Sequence, residues 1–267
     1  MYPLLFQIGP LKLYTYGLMM AVGFFTAISW AVRRAPRYGV SAEFISNLSW
    51  ILVVGGVVGG RLGYIIFEES ISDLFSFKLF EVWKGGMVFY GGFIVAVLGA
   101  LYYSRKHKVP FLTVADIMAP TIALGHAFGR IGCLFAGCCY GKQCTLPWAI
   151  TFTNPLSLAP LHVPLHPTQL YESIGLFLTV GILLLVQKHQ KFMGEIFVVY
   201  LSLYAILRTT VETFRGDEDR GFVDFWGLYP NQWLSTSTFI GAGMLAVAAF
   251  VFWKYRKVPT SFSAKKN

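Results

Sequence analysis

The sequence predicts an all-α, polytopic integral membrane protein with seven transmembrane helices. Composition is the first reason, because 55% of the residues are hydrophobic and 13% are charged, whereas soluble proteins contain about 25% charged residues. The second reason is that the apolar residues form seven segments, each near the length of about 20 residues with which a helix crosses a bilayer. These segments cover about 13–32, 46–67, 86–104, 113–132, 169–187, 194–214 and 233–253.

Positive charges predict how the seven segments are oriented. Thirteen Lys and Arg residues fall in the loops 33–45, 105–112 and 188–193 and in the tail at about 254–267, and six fall on the opposite side. The positive-inside rule assigns the richer side to the cytoplasm. We therefore expect a periplasmic N-terminus, a cytoplasmic C-terminus and an outer loop at about 133–168.

The chain is predicted to form one membrane domain, residues 1–267, because it has no internal repeat and no low-complexity linker. No basic stretch with a small-residue cleavage site opens it, so we expect no removable signal peptide. The net charge of +9 would favour a nucleic-acid partner in a soluble protein. Here anionic lipid headgroups account for it, so we expect membrane lipids as partners and no nucleic acid.

Three arginines, Arg61, Arg130 and Arg208, fall inside predicted spans. Arginine is costly in hydrocarbon and usually faces a bundle interior or a watery cavity. Each could be paired with carboxylates or carbonyls as structural support. Three of them towards the outward helix ends favour a common purpose, and the planar guanidinium is suited to phosphate.

Polar residues accompany two of these arginines at helical spacing. Tyr204, Arg208, Glu212 and Arg215 are spaced four, four and three residues apart, which places them on one helix face. They form either part of a binding site or an ion ladder that satisfies itself. His126 precedes Arg130 by one turn, and glycines four residues apart beside it, as at Gly55 and Gly59, permit close helix packing.

The four cysteines are Cys133, Cys138, Cys139 and Cys144. Their spacing contains no C-x-x-C pair, which argues against structural zinc or an iron–sulfur cluster. We therefore expect no metal and no cofactor. One disulfide among them stays open, as does a nucleophilic role aided by His126 or Arg130, but a packing role is the default for cysteine.

Tyr90 stands between Gly85-Gly86 and Gly91-Gly92, where the third span begins. Paired glycines let the backbone turn sharply or approach a ligand, which would place Tyr90 at the mouth of a site. The alternative is an aromatic residue at the membrane interface, where tyrosine is common.

The stretch "PLHPTQLYES" predicts the start of a helix at Pro167, since proline suits the first helical position. That explanation does not account for the polar residues grouped around it. They are His166, Gln169, Tyr171 and Glu172. We interpret them as ordering the outer loop over a polar cavity.

Six motifs in order resemble the bacterial prolipoprotein diacylglyceryl transferases over nearly the whole chain. They are "IGPLKLYTYGLMMAVGF", "GGRLGY", "GGMVFYGG", "GHAFGRIGCLFAGCCYGK", "HPTQLYES" and "LRTTVETFRGDEDRG". The resemblance implies a seven-span inner-membrane enzyme whose active site faces the periplasm. Such enzymes transfer the diacylglyceryl group of phosphatidylglycerol to the lipobox cysteine thiol of a prolipoprotein. The products are a thioether and glycerol 1-phosphate.

The resemblance also implies roles for individual residues. Arg130 matches the signature arginine implicated in binding phosphatidylglycerol, and Arg208 matches a second essential arginine. With Tyr90 they form the expected catalytic set. The expected substrate-binding residues are Arg130, Tyr16, Gly141, Arg61, Glu212, Arg215, Tyr204 and His166.

Two departures from the family pattern affect the chemistry. Many members have histidine at the position of Tyr90, and it has been proposed as the base for the thiol; tyrosine is a poor base at neutral pH. Either that base is dispensable, which we favour, or His126 or His166 replaces it. The signature's asparagine and glutamate are here Cys133 and Cys138.

Two other functions fit parts of the pattern. Arginines and glycine-rich helices would also suit a transporter of an anionic solute, which predicts inverted repeats, and we find none. A different phospholipid-dependent transferase would use the arginines on a headgroup but accept another nucleophile.

Overall fold

The computed structural model describes residues 1–9, 11–68, 88–217 and 236–260, which are predominantly helical. Seven α-helices lie in these ranges, and each overlaps one predicted segment. They are α1 (Thr15–Arg34), α2 (Ala42–Glu68), α3 (Phe89–Lys106), α4 (Phe111–Ala136), α5 (Thr168–Gln187), α6 (Glu195–Glu212) and α7 (Thr236–Tyr255).

Five of these helices, α1, α2, α4, α5 and α7, are long and apolar enough to cross a membrane. The protein is therefore a polytopic, all-α membrane protein. The described parts of α3 and α6 have 18 residues each. Neither helix is both as long and as apolar as the other five. The predicted start of the third span, residues 86 and 87, lies outside the described residues, as do Gly85 and Gly86.

Helix ends differ from the predictions where local signals act. α2 begins before residue 46, because the Ser41 hydroxyl accepts a hydrogen bond from the Phe44 amide at 3.1 Å, which caps a helix start. α4 runs past residue 132 and ends before Gly137, whose φ of 81° gives the left-handed helix stop that glycine favours. Cys133 therefore lies in the last turn of α4, and the outer loop comprises 137–167.

Short strands accompany the helices and were not predicted. β1 (Leu4–Ile8) and β2 (Leu11–Tyr14) form an antiparallel pair just before α1. β3 (Ile150–Thr151) and β4 (Pro164–Leu165) pair within the outer loop, with Ile150 opposite Leu165. Strands this short bury little surface, so they leave no clear pattern in the sequence.

The chain divides into two compact units, residues 1–30 with 115–267 and residues 31–114. The single domain expected from the sequence stays a prediction. In the first unit, Ala119, Ala123 and Ala127 of α4 form a buried cluster with residues of α5 and α6 such as Leu176 and Ile196. Alanines four residues apart leave a smooth helix face, so neighbouring helices can pack closely.

In the second unit, α2 and α3 pack through glycines. A Cβ added to Gly59 would lie 2.5 Å from the carbonyl oxygen of Gly91, and one added to Gly92 would lie 2.5 Å from that of Gly56. The predicted close helix approach is confirmed at Gly59, whereas a Cβ at Gly55 would make only an ordinary contact with Ala96, at 3.5 Å.

Candidate functional site

The candidate site lies in the first unit, where α4, α5 and α6 bring three charged side chains together. Arg130 is near the C-terminal end of α4, Glu172 is in the early turns of α5, and Arg208 is in the last turns of α6. Glu172 is 2% exposed. A carboxylate so deeply buried requires positive partners, and the two arginines supply them.

Glu172 joins both arginines through one oxygen. Its Oε2 lies 3.1 Å from the Nε of Arg130 and 3.5 Å from the Nη1 of Arg208, while its Oε1 lies 3.7 Å from the Nε2 of His126. Glu172 was noted in the sequence as part of a polar group but was not assigned to the site. Its signal was a carboxylate placed early in an otherwise apolar helix.

His126 holds Arg130 from within the same helix. The Nε of Arg130 donates to the Nε2 of His126 at 3.2 Å, one turn earlier on α4. Because Nε2 accepts this bond, the ring is neutral and carries its proton on Nδ1. The His126 ring also packs against the ring of Tyr204, with centroids 5.5 Å apart.

Arg208 links three helices. Besides its contact with Glu172 on α5, its Nη2 lies 3.0 Å from Glu212 Oε2 on its own helix and donates to the Ser237 hydroxyl of α7 at 2.7 Å. Ser237 was not anticipated from the sequence, because a single serine at a helix start gives no signal of its partner.

The ion ladder considered from the sequence is present. Glu212 Oε2 lies 3.0 Å from Arg208 and 3.8 Å from Nη1 of Arg215. Arg215 is paired in turn with Asp217, its Nε donating to Oδ1 at 2.8 Å and its Nη2 contacting Oδ2. Asp217 follows α6 and completes a row of alternating charges that extends from the site into the chain beyond the helix.

Gly141 packs three chain segments together. Its amide donates to the carbonyl of His166 at 3.1 Å, and the amide of Lys142 donates to that of Phe214 at 2.8 Å. A Cβ at Gly141 would lie 2.5 Å from the His166 Cβ. Gly141 therefore has no room for a side chain, and its observed role is to join the outer loop to the end of α6.

His166 belongs to an aromatic cluster beside Gly141. Its Nδ1 lies 3.2 Å from the hydroxyl of Tyr171, to which Trp148 Nε1 donates at 2.9 Å. Its ring centroid is 5.2 Å from that of Phe214. These contacts join the outer loop to α5 and to the end of α6, and the polar cavity expected beneath the loop stays a prediction.

Tyr16 and Tyr204 are the other two predicted residues in this unit. Tyr16 lies at the start of α1, against Gly132 of α4, where an added Cβ would be 3.2 Å from its ring. Tyr204 stacks on Tyr200 with centroids 6.0 Å apart. Tyr16 thus lies beside Gly132, two residues after Arg130. Tyr204 lies beside His126, one turn before Arg130.

Arg61 and Tyr90 belong to the second unit. Arg61 is 4% exposed on α2, with its guanidinium carbon 5.3 Å from the centroid of the Tyr64 ring. Tyr90 is in the first turn of α3 and is 48% exposed. The adjoining Gly91 and Gly92 serve helix packing, so that pair of glycines has an explanation other than a ligand.

Fold and site together define a class: a polytopic membrane protein in which two partly buried arginines contact one buried carboxylate. Comparison with known families specifies it further. The family described as prolipoprotein diacylglyceryl transferase matches residues 3–250. The chain belongs to this family, which confirms the resemblance seen in the sequence and the expectation of a transferase.

Similar proteins occur in several bacteria, each named phosphatidylglycerol–prolipoprotein diacylglyceryl transferase. The one from Clostridium tetani is 37% identical over 253 residues, which is 94% of this chain and 97% of the relative. One from Pseudomonas putida is 36% identical over 268 residues, 97% and 96% of the two chains. One from Coxiella burnetii is 35% identical over 266 residues, 95% of each.

Proposed function

We propose that this protein transfers the diacylglyceryl group of phosphatidylglycerol to the lipobox cysteine of prolipoproteins, the first step of bacterial lipoprotein maturation. One observation carries the proposal: Arg130 and Arg208 share the buried carboxylate of Glu172 in a chain of this family. The names of the relatives supply the donor lipid and the acceptor protein.

The reaction develops negative charge on the departing phosphate, and arginines can stabilise that charge. The acceptor sulfur attacks the glyceryl carbon that bears the phosphate ester, and the carbon–oxygen bond breaks as the carbon–sulfur bond forms. The electron pair leaves with glycerol 1-phosphate, which gains one negative charge, and the proton lost by the acceptor thiol passes to water or to that phosphate. Fixed N–H donors stabilise such a charge without having to reorganise, and guanidinium groups bind phosphate oxygens strongly.

Arg130 is the residue we assign to the phosphate. Its contacts with Glu172 and His126 both engage Nε, and we assign the fork formed by its two Nη nitrogens, beside Tyr204, to the phosphate oxygens. Glu172 balances the charge of the arginines when no lipid is present. Arg208 serves as the second cation, held by Glu212 and Ser237.

His126 and His166 are the two candidate bases for the thiol proton, and their contacts favour other roles. The acceptor nitrogen of His126 faces the Arg130 guanidinium, and a proton there would be placed against a positive charge. His166 hydrogen-bonds within the aromatic cluster. We therefore infer that His126 positions Arg130, and that the reaction does not depend on a dedicated histidine base.

The other predicted residues keep proposed roles at the edge of the site. We propose that Tyr16 and Tyr204 border the lipid near Arg130, and that Arg215, with Glu212, holds the end of α6 in place. The proposed contribution of His166 and Gly141 is an ordered outer loop. The role of Arg61 as a substrate contact rests on its place inside a predicted span, and that of Tyr90 as a hydrogen-bond donor on its neighbouring glycines and the family resemblance.

The proposal includes seven crossings of the bacterial inner membrane, with the N-terminus and the site on the periplasmic side. Helices of 18 residues such as α3 and α6 are about 27 Å long, close to the hydrocarbon thickness of about 30 Å. α4 begins beside the basic loop at 105–110, and Arg130 is near its other end. The positive-inside rule favours a cytoplasmic basic loop, which supports a periplasmic position for Arg130.

The reaction products test the proposed function. Purified protein would be incubated with phosphatidylglycerol vesicles and a lipobox peptide, and with the same peptide carrying serine in place of its cysteine. We expect a diacylglyceryl adduct on the cysteine peptide, with an equal amount of glycerol 1-phosphate, and neither product from the serine peptide. Glycerol 1-phosphate released without a peptide adduct would favour a transferase with another acceptor. Absence of both products from folded protein would contradict the proposal.

A further inference from the structure

Three of the four cysteines converge although the proposed reaction does not use them. The Sγ atoms of Cys133, Cys138 and Cys139 all lie within 4.8 Å of one another, and each residue is half-buried. All four cysteines are free thiols, so the disulfide left open by the sequence is not formed. The turn at Gly137 returns the chain towards the last turn of α4 and brings the three sulfurs together.

The backbone that carries two of these thiols is fixed from α5. The hydroxyl of Thr168 donates to the carbonyl of Cys139 at 2.8 Å, and the amide of Gln169 donates to the carbonyl of Cys138 at 2.8 Å. Cys139 adopts a φ of 57°, a left-handed conformation that costs energy in a residue other than glycine. The cluster is therefore held by specific contacts rather than left to pack loosely.

The spacing of the sulfurs suits a metal ion of thiolate preference. Thiolate ligands about 2.3 Å from a tetrahedral zinc ion are roughly 3.8 Å from one another, which small side-chain rotations can reach from the observed separations. Three sulfur donors favour soft or borderline cations such as Zn²⁺. In its open sites, Zn²⁺ binds three protein ligands and one exchangeable ligand.

The sequence spacing had argued against zinc because it lacks a C-x-x-C pair. The turn at Gly137 brings the three sulfurs together in space without such a pair.

We propose that Cys133, Cys138 and Cys139 form a three-thiolate Zn²⁺ site with an open fourth position. Each thiol that binds loses its proton to solvent, so binding releases protons and leaves the oxidation state of the sulfurs unchanged. Metal binding at this site can be measured without the transfer reaction proposed above.

Cobalt binding tests this site, because Co²⁺ occupies zinc sites and gives sulfur-to-cobalt charge-transfer absorption. The reduced, full-length protein would be titrated with Co²⁺ in detergent and then with Zn²⁺, with the four free thiols verified first. We expect one Co²⁺ per chain, thiolate charge-transfer and tetrahedral visible bands, and their loss when Zn²⁺ displaces the cobalt. Cys133→Ser, Cys138→Ser and Cys139→Ser should each lose the thiolate bands.

Cys144→Ser is the matched control, since it removes a thiol of the same loop that is outside the cluster. It should retain both the bands and the stoichiometry, and circular dichroism would verify that all four variants are folded. No thiolate band from fully reduced wild-type protein would overturn the proposal. So would a band that persists in the three cluster variants, or one that disappears only in Cys144→Ser.

Discussion

At the scale of single residues, Glu172 organises the site that the sequence only outlined. Arg130 and Arg208 were predicted because charged residues within apolar segments are rare and expensive. Their common partner was not assigned, because residues 130, 172 and 208 come from three helices whose packing determines the contact. Sequence spacing shows which residues share one helix face, as with Arg208 and Glu212, but not which faces meet.

Removing the charge of Glu172 should destabilise the protein. Glu172→Gln preserves the size of the side chain but leaves two partly buried arginines without their shared carboxylate. Breaking a buried ion pair from one side typically costs about 3–5 kcal/mol. We expect a clearly lower thermal unfolding midpoint and reduced transfer, whereas Glu43→Gln, at an exposed position of α2, should change neither. An unfolding midpoint equal to that of the wild type would show that Glu172 is not the common counter-ion.

His126 should be replaceable by a residue that accepts a hydrogen bond without titrating. In His126→Gln, the amide oxygen can accept from Arg130 Nε, so we expect activity within about tenfold of wild type and an unchanged pH–rate profile. His126→Ala should lose more, about 100-fold, because it removes the acceptor that holds Arg130 Nε, and a misplacement of about 1 Å can cost that much. If both variants lost activity equally and the rate no longer fell at acidic pH, His126 would be the base.

At the scale of elements, the seven helices were predictable and their exact ends were not. Apolar length identifies a span, but caps decide where it begins and ends, as Ser41 and Gly137 do for α2 and α4. The outer loop shows the limit of prediction. Gly141 matched a family signature glycine expected to bind substrate, whereas its contacts show the packing of His166 and Phe214 against it.

Gly141→Ala should therefore disturb the loop as a whole. The added methyl group would meet both the side chain and the carbonyl of His166, and overpacking of this kind costs about 1–3 kcal/mol. We expect increased proteolysis of the loop 137–167 together with lower activity. Gly181→Ala is the control, because a Cβ there meets nothing within 4 Å. Intact proteolytic resistance with lost activity would assign Gly141 to substrate binding instead.

At the scale of the whole molecule, composition was sufficient to predict a polytopic membrane protein, and the family motifs specified its relatives. Five helices have the length and hydropathy of spans. The described part of α3 ends in Arg105 and Lys106, and α6 contains Glu195, Arg208 and Glu212. α4 and α5 also carry site residues, Arg130 and Glu172, but remain apolar enough to be detected.

The proposed orientation predicts which loops are accessible from each side. Single cysteines would be introduced at Lys108 and at Thr145, in a chain whose four native cysteines are serine. An impermeant thiol reagent applied to spheroplasts should label Thr145→Cys and should reach Lys108→Cys only after lysis. The opposite pattern would reverse the topology, and labelling of both positions before lysis would contradict an odd number of crossings between them.

The central claim is that the guanidinium of Arg130 stabilises the phosphate as it departs. The most direct measurement is kcat/KM for diacylglyceryl transfer in Arg130→Lys, which retains the charge but not the fork, beside Arg105→Lys at an exposed position of α3. Loss of one preorganised donor costs about 100-fold or more, so Arg130→Lys should fall by at least that factor while Arg105→Lys stays at the wild-type rate. Equal, near-wild-type rates in both folded variants would contradict the account.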